Sequence, residues 1–254
     1  MIYALLSCVC ICLGMAGGVG SSTLLRPLLD AVSPLEPAAI SFLCTAGTLG
    51  AALVGAFFAL NQPLALHQDE LLLLSIGALL GGALGDWIGA RFYALLPARG
   101  VLFLQNALLF TILALPALYF SHLAKTMAPL EITRMASLPV SLLLGIVASF
   151  LSFGAVPLTL MVYHLLFNTD EHERSIAALT VALCAMAGKL IVQLIRLRLS
   201  IPRAEVLLWL LPGALIGALI AMIPGAQRAL RSTGKSVIGF ALFTCIVNMA
   251  AAFA

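Results

Sequence analysis

The sequence predicts an all-α polytopic membrane protein of two repeats. Each repeat is a broken or re-entrant helix followed by three transmembrane helices, giving about 8 membrane segments. Three observations carry this. The 254 residues are 63% hydrophobic and only 9% charged, where soluble domains carry roughly 25% charged residues. The apolar runs are long and unbroken, unlike the ten-residue alternating strands of outer-membrane barrels, so helices are the remaining solution in lipid. The order of the runs also recurs along the chain. Net charge is only +3, with no basic tail suited to nucleic acid. The first apolar run starts at Ile2 without a positive n-region, so a cleavable signal peptide is not expected.

Six runs reach the roughly 20 apolar residues that a spanning helix needs: 34–60, 71–95, 100–120, 172–195, 204–223 and 236–253. Two others, 2–16 and 138–153, are too short to span comfortably. Each is followed by a polar or glycine break and a second apolar piece, 24–32 and 156–167. As single straight helices these would overrun about 30 Å of hydrocarbon, so each reads as a broken or hairpin element. Ser33-Pro34-Leu35-Glu36 and Asp170-Glu171-His172-Glu173 read as capping boxes opening the runs that follow.

Shifted by 136 positions, the sequence aligns with itself. Gly77-Ala78-Leu79 meets Gly213-Ala214-Leu215, Gly81 meets Gly217, and Gly89-Ala90 meets Gly225-Ala226. Pro27 meets Pro157 at a shift of 130. The expected organisation is a first repeat over 1–120, a polar linker over 121–137 and a second repeat over 138–254. If the broken elements turn back, the repeats are inverted, which is the expected plan; if they cross, the repeats are parallel. Lys and Arg fall on both sides under either topology (Lys125 and Arg134; Arg196, Arg198 and Arg203; Arg228, Arg231 and Lys235), so charge does not fix orientation. The ladder Gly77, Gly81, Gly85, Gly89 and its counterpart Gly213, Gly217 predict close helix packing between the halves.

The stretch "GMAGGVGSSTLLRPLL" breaks the first helix with small polar residues and then places a charge. A helix starting inside the membrane presents unpaired N–H groups and the positive end of its dipole, which together favour an anion. Gly17, Gly18 and Gly20 let the chain turn and a ligand approach, while Ser21, Ser22 and Thr23 add hydroxyls and Arg26 adds charge. The second break, "SFLSFGAVPL", offers Ser152 and Gly154 but no charge; Lys189 is its candidate positive partner. Asp86 is a candidate proton carrier, or a counter-ion to Arg26 or Lys189. The alternatives at this point are an interfacial loop over 17–23 and snorkelling of Arg26 and Lys189 to headgroups.

Catalysis has little support. The run "DEHER" at 170–174 lacks the HExxH spacing, and no nucleophile–base set is visible. Cys8, Cys10, Cys12, Cys44, Cys184 and Cys245 all lie in apolar runs and read as small hydrophobes, not metal ligands or disulfides. His164 and His172 flank the second broken element and read as loop or cap residues.

The order of these pieces resembles the TauE/SafE family of sulfite and organosulfur anion exporters (TSUP-type transporters). The resemblance rests on "GMAGGVGSSTLLRPLL", then "SPLEPAAISFLCTAGTLGAALVGA", then "GALLGGALGDWIGARFYALLPARGVLFLQNALLF", with "GALIGALIAMIPGAQRAL" recurring in the second half. It covers nearly the whole chain. The first turn reads GGVGSS where the family tends to carry a third consecutive glycine, and the second turn has few glycines. The resemblance implies a multi-pass transporter in the bacterial inner (plasma) membrane.

The expected function is secondary transport, as an exporter, of a small anion such as sulfite, a sulfonate or another organosulfur or carboxylate anion. The anion would bind at the half-helix N-termini near the midplane. The expected partners are that anion and the lipid bilayer; a homo-oligomer is compatible, and no cofactor or metal is expected. Two alternatives stay open: a transporter or channel for a cation or amino acid, and a non-transporting scaffold subunit.

Overall fold

The computed structural model describes residues 1–59, 66–124, 129–130, 132–167, 169–196 and 203–253; Lys125 and Arg198 lie outside the described residues. Among these residues eleven α-helices follow in order: α1 (Ile2–Ala16), α2 (Leu25–Val32), α3 (Pro37–Ala59), α4 (Gln68–Leu95), α5 (Ala98–Leu118), α6 (Ser137–Leu151), α7 (Val156–Phe167), α8 (Glu171–Arg196), α9 (Ala204–Met222), α10 (Pro224–Leu230) and α11 (Gly234–Phe253). There is no strand among the described residues. Among the described residues seven helical stretches are long and apolar enough to cross a membrane, so the chain is a multi-pass membrane protein. One of the seven corrects the sequence reading. A 3₁₀ turn at Arg134–Ala136 prolongs α6 at its start, and Arg134–Leu151 then reaches 18 residues.

Both breaks fall where expected, and both reverse the chain. After α2, Ser33 returns to the first turn of α1, its Oγ 3.2 Å from the Tyr3 hydroxyl. After α7, the carbonyls of Leu165 and Leu166 accept the N–H groups of Leu130 and Ile132, at 2.8 Å each, in the segment leading into α6. The contact at Ser33 revises its expected role. Ser33 caps the end of α2 and pairs with Tyr3, while α3 starts at Pro37 with the Ile40 N–H on the Glu36 carbonyl. The second capping box forms as expected. Asp170 Oδ1 accepts the Glu173 N–H at 2.7 Å, and Glu173 Oε2 accepts the Asp170 N–H at 3.1 Å.

Glycines set the tightest helix contacts. Gly77, Gly81 and Gly85 of α4 press on the backbone of α6 around Leu138, Leu142 and Ile146. Gly213 and Gly217 of α9 press on Ala4 and Cys8 of α1. A Cβ at any of these five positions would overlap main-chain carbonyl oxygens, so the glycines are there for close approach of backbones. Gly82 makes a third such contact, with Ala185 of α8. α8 runs antiparallel to α3. Lys189 meets Ser41 near the start of α3, and Leu179 faces Gly55 near its end. These packings hold α2, α3, α6 and α8 around the meeting point of the two breaks.

Candidate functional site

The first bend is tied down by its own backbone. The N–H groups of Val19 and Gly20 both donate to the Gly14 carbonyl, at 2.9 and 3.0 Å, and Gly17 and Gly18 donate to Leu13 and Met15. This wraps the end of α1 and consumes donors that a ligand would otherwise use. Gly18 and Gly20 adopt φ of +71° and +106°, a region that favours glycine. The hydroxyls are engaged too. Thr23 Oγ1 donates to the Val19 carbonyl at 2.9 Å, and Ser22 Oγ donates to the Phe153 carbonyl at 2.5 Å.

That last bond joins the two bends. Phe153 lies in the second turn, between Ser152 and Gly154, with Ser152, Gly154 and Ala155 at φ of 55°, 70° and 48°. Gly20 approaches α7 closely as well, since a Cβ there would lie 2.9 Å from Val156 Cβ. The beginnings of α2 and α7 therefore meet in the interior.

Two cations converge on one oxygen at this junction. Arg26 Nη1 donates to Ser152 Oγ at 3.3 Å, and Lys189 Nζ donates to the same oxygen at 2.6 Å. Arg26 is 1% exposed and Lys189 2%. With both lone pairs of Ser152 Oγ taken, its own proton is left for Ser41 Oγ, 2.8 Å away. Lys189 spends its other two protons on Ser41 Oγ at 2.9 Å and the Ser149 carbonyl at 2.5 Å. Arg26 completes its fork with Asp30 Oδ2 at 3.2 Å and Gln105 Oε1 at 2.5 Å.

The charges do not cancel. Among the described residues Asp30 is the one carboxylate within ion-pair distance of Arg26, and none lies that close to Lys189. Asp30 is held by Asn106 Nδ2 at 3.2 Å, and Asn106 by Asn248, whose Nδ2 also donates to the Pro27 carbonyl. Asp30 is thus spent on Arg26, while Lys189 has no carboxylate in direct contact and feels the Asp86 charge only from farther off. Burying an unpaired charge is costly, so the cluster is electrostatically disposed to accept a small anion.

The predicted residues divide into groups. Arg26, Ser152 and Lys189 come together, with Ser22 and Gly154 beside them; a Cβ at Gly154 would lie 3.7 Å from Ser22 Oγ. Gly18, Gly20 and Ser21 instead line a cavity of about 320 Å³ shared with Ser175 and Gln227. Gly17 packs on Gly234 at the start of α11. Asp86 pairs with neither Arg26 nor Lys189. Its Oδ2 lies 3.3 Å from Arg196 Nη2, and its charge reaches Lys189 only from beyond ion-pair distance. The i, i+4 spacing of Arg26 and Asp30 was a readable signal for that pair. Ser149 was visible as part of the second break, whereas Ser41, Gln105, Asn106 and Asn248 carried no signal beyond being polar within apolar runs. His164 Nδ1 meets the Tyr119 hydroxyl at 3.2 Å, away from the junction.

A family model described as "Sulfite exporter TauE/SafE" matches residues 3–252. Comparison with curated proteins and with solved structures gave no match.

Proposed function

The chain belongs to the sulfite exporter TauE/SafE family, a family of membrane transporters rather than enzymes that handles sulfur anions, and on that premise we propose that its substrate anion binds between Arg26 and Lys189 at Ser152. The convergence of both cations on Ser152 Oγ, with Asp30 paired to Arg26 alone, carries this reading. An oxyanion such as sulfite or a sulfonate takes over as the acceptor shared by the two cations, accepts the Ser152 proton in turn, and brings the missing negative charge. A bidentate contact to Arg26 and a point-charge contact to Lys189 suit a small trigonal or tetrahedral anion.

The same proposal covers topology. α1–α2 and α6–α7 serve as hairpins entering from opposite faces, and residues 1–120 and 138–254 form inverted repeats joined by 121–137. Supporting this, each hairpin returns to its own starting point, and α8, which follows the second, runs antiparallel to α3. The substrate then lies between the repeats, as in other inverted-repeat transporters. Export across a bacterial inner membrane follows as rocking of one repeat against the other, driven by an ion gradient.

The test is thermal stabilisation of the purified protein by a panel of anions. Sulfite or a sulfonate raises the apparent Tm of the wild type, and Arg26→Ala and Lys189→Ala each abolish the rise. A shift produced by cations or amino acids and not by any anion would overturn the reading.

A further inference from the structure

One face of α8 passes the cavity at the first bend and the junction and carries on to the helix end. Ala178 and Ala182 line the cavity at the first bend, Lys189 holds the junction, and Gln193 and Arg196 follow toward the helix end. At 3.6 residues per turn these five positions fall within about 60° of arc. In a chain with 9% charged residues, a Lys-Gln-Arg succession along one helical face needs an explanation. Gln193 is 3% exposed, and its Oε1 has no hydrogen-bond partner. Arg196 is different in kind. Its side chain is 41% exposed, yet its guanidinium reaches a carboxylate that is 3% exposed, Asp86 of α4. Asp86 Oδ2 lies within ion-pair distance but makes no hydrogen bond, so Asp86 holds Arg196 by charge without a fitted bond.

We propose that Arg196, with Gln193 beside it, forms an outer oxyanion subsite between the junction and the membrane face at the end of α8, and that the Asp86 carboxylate occupies this subsite when substrate is absent. This rests on the anion reading of the Arg26–Lys189 junction. An anion leaving Lys189 along the α8 face meets the Gln193 amide and then the Arg196 guanidinium. Arg196 exchanges its carboxylate contact for a substrate oxyanion, and the displaced Asp86 carboxylate stays buried within the field of Lys189, on which its charge already acts. The exchange is favoured because the contact with Asp86 lacks hydrogen-bond geometry, whereas a small oxyanion can take the guanidinium fork in a bidentate manner. While the subsite is empty, the Asp86 ion pair ties the end of α8 to α4.

Competition between Asp86 and substrate gives a signature that a purely structural ion pair lacks. Initial rates of labelled sulfite uptake into proteoliposomes, measured against sulfite concentration, are compared for wild type, Arg196→Gln and Asp86→Asn. Arg196→Gln raises the KM about fivefold, and Asp86→Asn lowers it by a similar factor, as expected for loss of a partly exposed charge contact. Both variants keep the sulfite-dependent rise in Tm that reports the junction, which also shows that they fold, and Arg196→Lys restores part of the affinity. KM changes in the same direction for both variants, or unchanged in Arg196→Gln, overturn the outer subsite while leaving the junction intact. A wild type that neither binds nor transports sulfite or any sulfonate overturns the junction reading, and the outer subsite with it.

Discussion

The two bends solve one geometric problem with different residues. The first, between α1 and α2, places glycine at both of its positive-φ positions, Gly18 and Gly20. The second, between α6 and α7, has one glycine there and puts Ser152 and Ala155 at φ of 55° and 48°. A left-handed conformation costs a residue with a Cβ about 1–2 kcal/mol, so the second bend holds strain that the first avoids. Ser152 shows what the strain accompanies. Its hydroxyl contacts Arg26, Lys189 and Ser41 at once, and glycine cannot supply a hydroxyl. Glycine richness marks where backbone must turn and approach closely. The side-chain chemistry concentrates at the bend with fewer glycines.

The comparison breaks most visibly at Gly20. A Cβ there meets both an unfavourable φ of +106° and Val156 Cβ at 2.9 Å. Each effect alone costs about 1–3 kcal/mol. Gly20→Ala is expected to lower the apparent Tm by more than any other single change in either bend, and to cut the yield of folded protein in detergent. A tolerated Gly20→Ala, measured by thermal unfolding, would remove the claim that the first bend is limited by backbone geometry.

Ser152→Gly sharpens the contrast from the other side. Glycine accepts the left-handed backbone, while removal of the hydroxyl takes a shared acceptor from two buried cations. Hydrogen bonds to charged groups are worth about 1.5–3 kcal/mol. Sulfite affinity, read as the half-saturating concentration of the Tm rise, is expected to fall on the order of tenfold or more. The unliganded Tm should fall less than in Gly20→Ala. The opposite ranking, with stability lost and affinity kept, would make Ser152 a turn residue and nothing more.

This division explains what was legible in the sequence. Composition and run length fixed an all-helical membrane chain, since no other structure satisfies so apolar a backbone in lipid. Both breaks were visible as polar interruptions, and the α4 and α9 glycine ladders as small-residue spacing. Arg26, Ser152 and Lys189 were each identifiable, because charge and hydroxyls are rare in such runs. Their placement in one site followed from the repeat, which sets the two half-helix starts against each other; their direct contacts on Ser152 Oγ did not, because Ser152 lies 126 positions from Arg26, and single-sequence periodicity has no reach over that distance. Asp30 is the instructive omission. It sits one turn from Arg26 on a short helix, and the i, i+4 rule predicts its pairing. Weighing Arg26 against the distant Asp86 passed over the local carboxylate that neutralises it. Asp86 was left for Arg196, which the sequence showed only as a loop charge.

The smallest effect is expected at Ala155, and it separates strain from chemistry within the second bend itself. Ala155 shares the left-handed backbone of Ser152, is fully buried, and is an apolar residue. In Ala155→Gly the relief of about 1–2 kcal/mol of conformational strain opposes two losses. Glycine gains freedom in the unfolded chain, worth about 0.4–1 kcal/mol, and a buried methyl group is deleted, worth about 0.8 kcal/mol. The terms nearly cancel, so the Tm should stay close to wild type, and sulfite affinity should not change. A large loss of stability would show that the Ala155 methyl is needed to seat the second bend against its neighbours. A loss of affinity would show that the bend transmits its own rigidity to Ser152. In either case the site would depend on the stiffness of the strained turn as well as on the single hydroxyl that it presents.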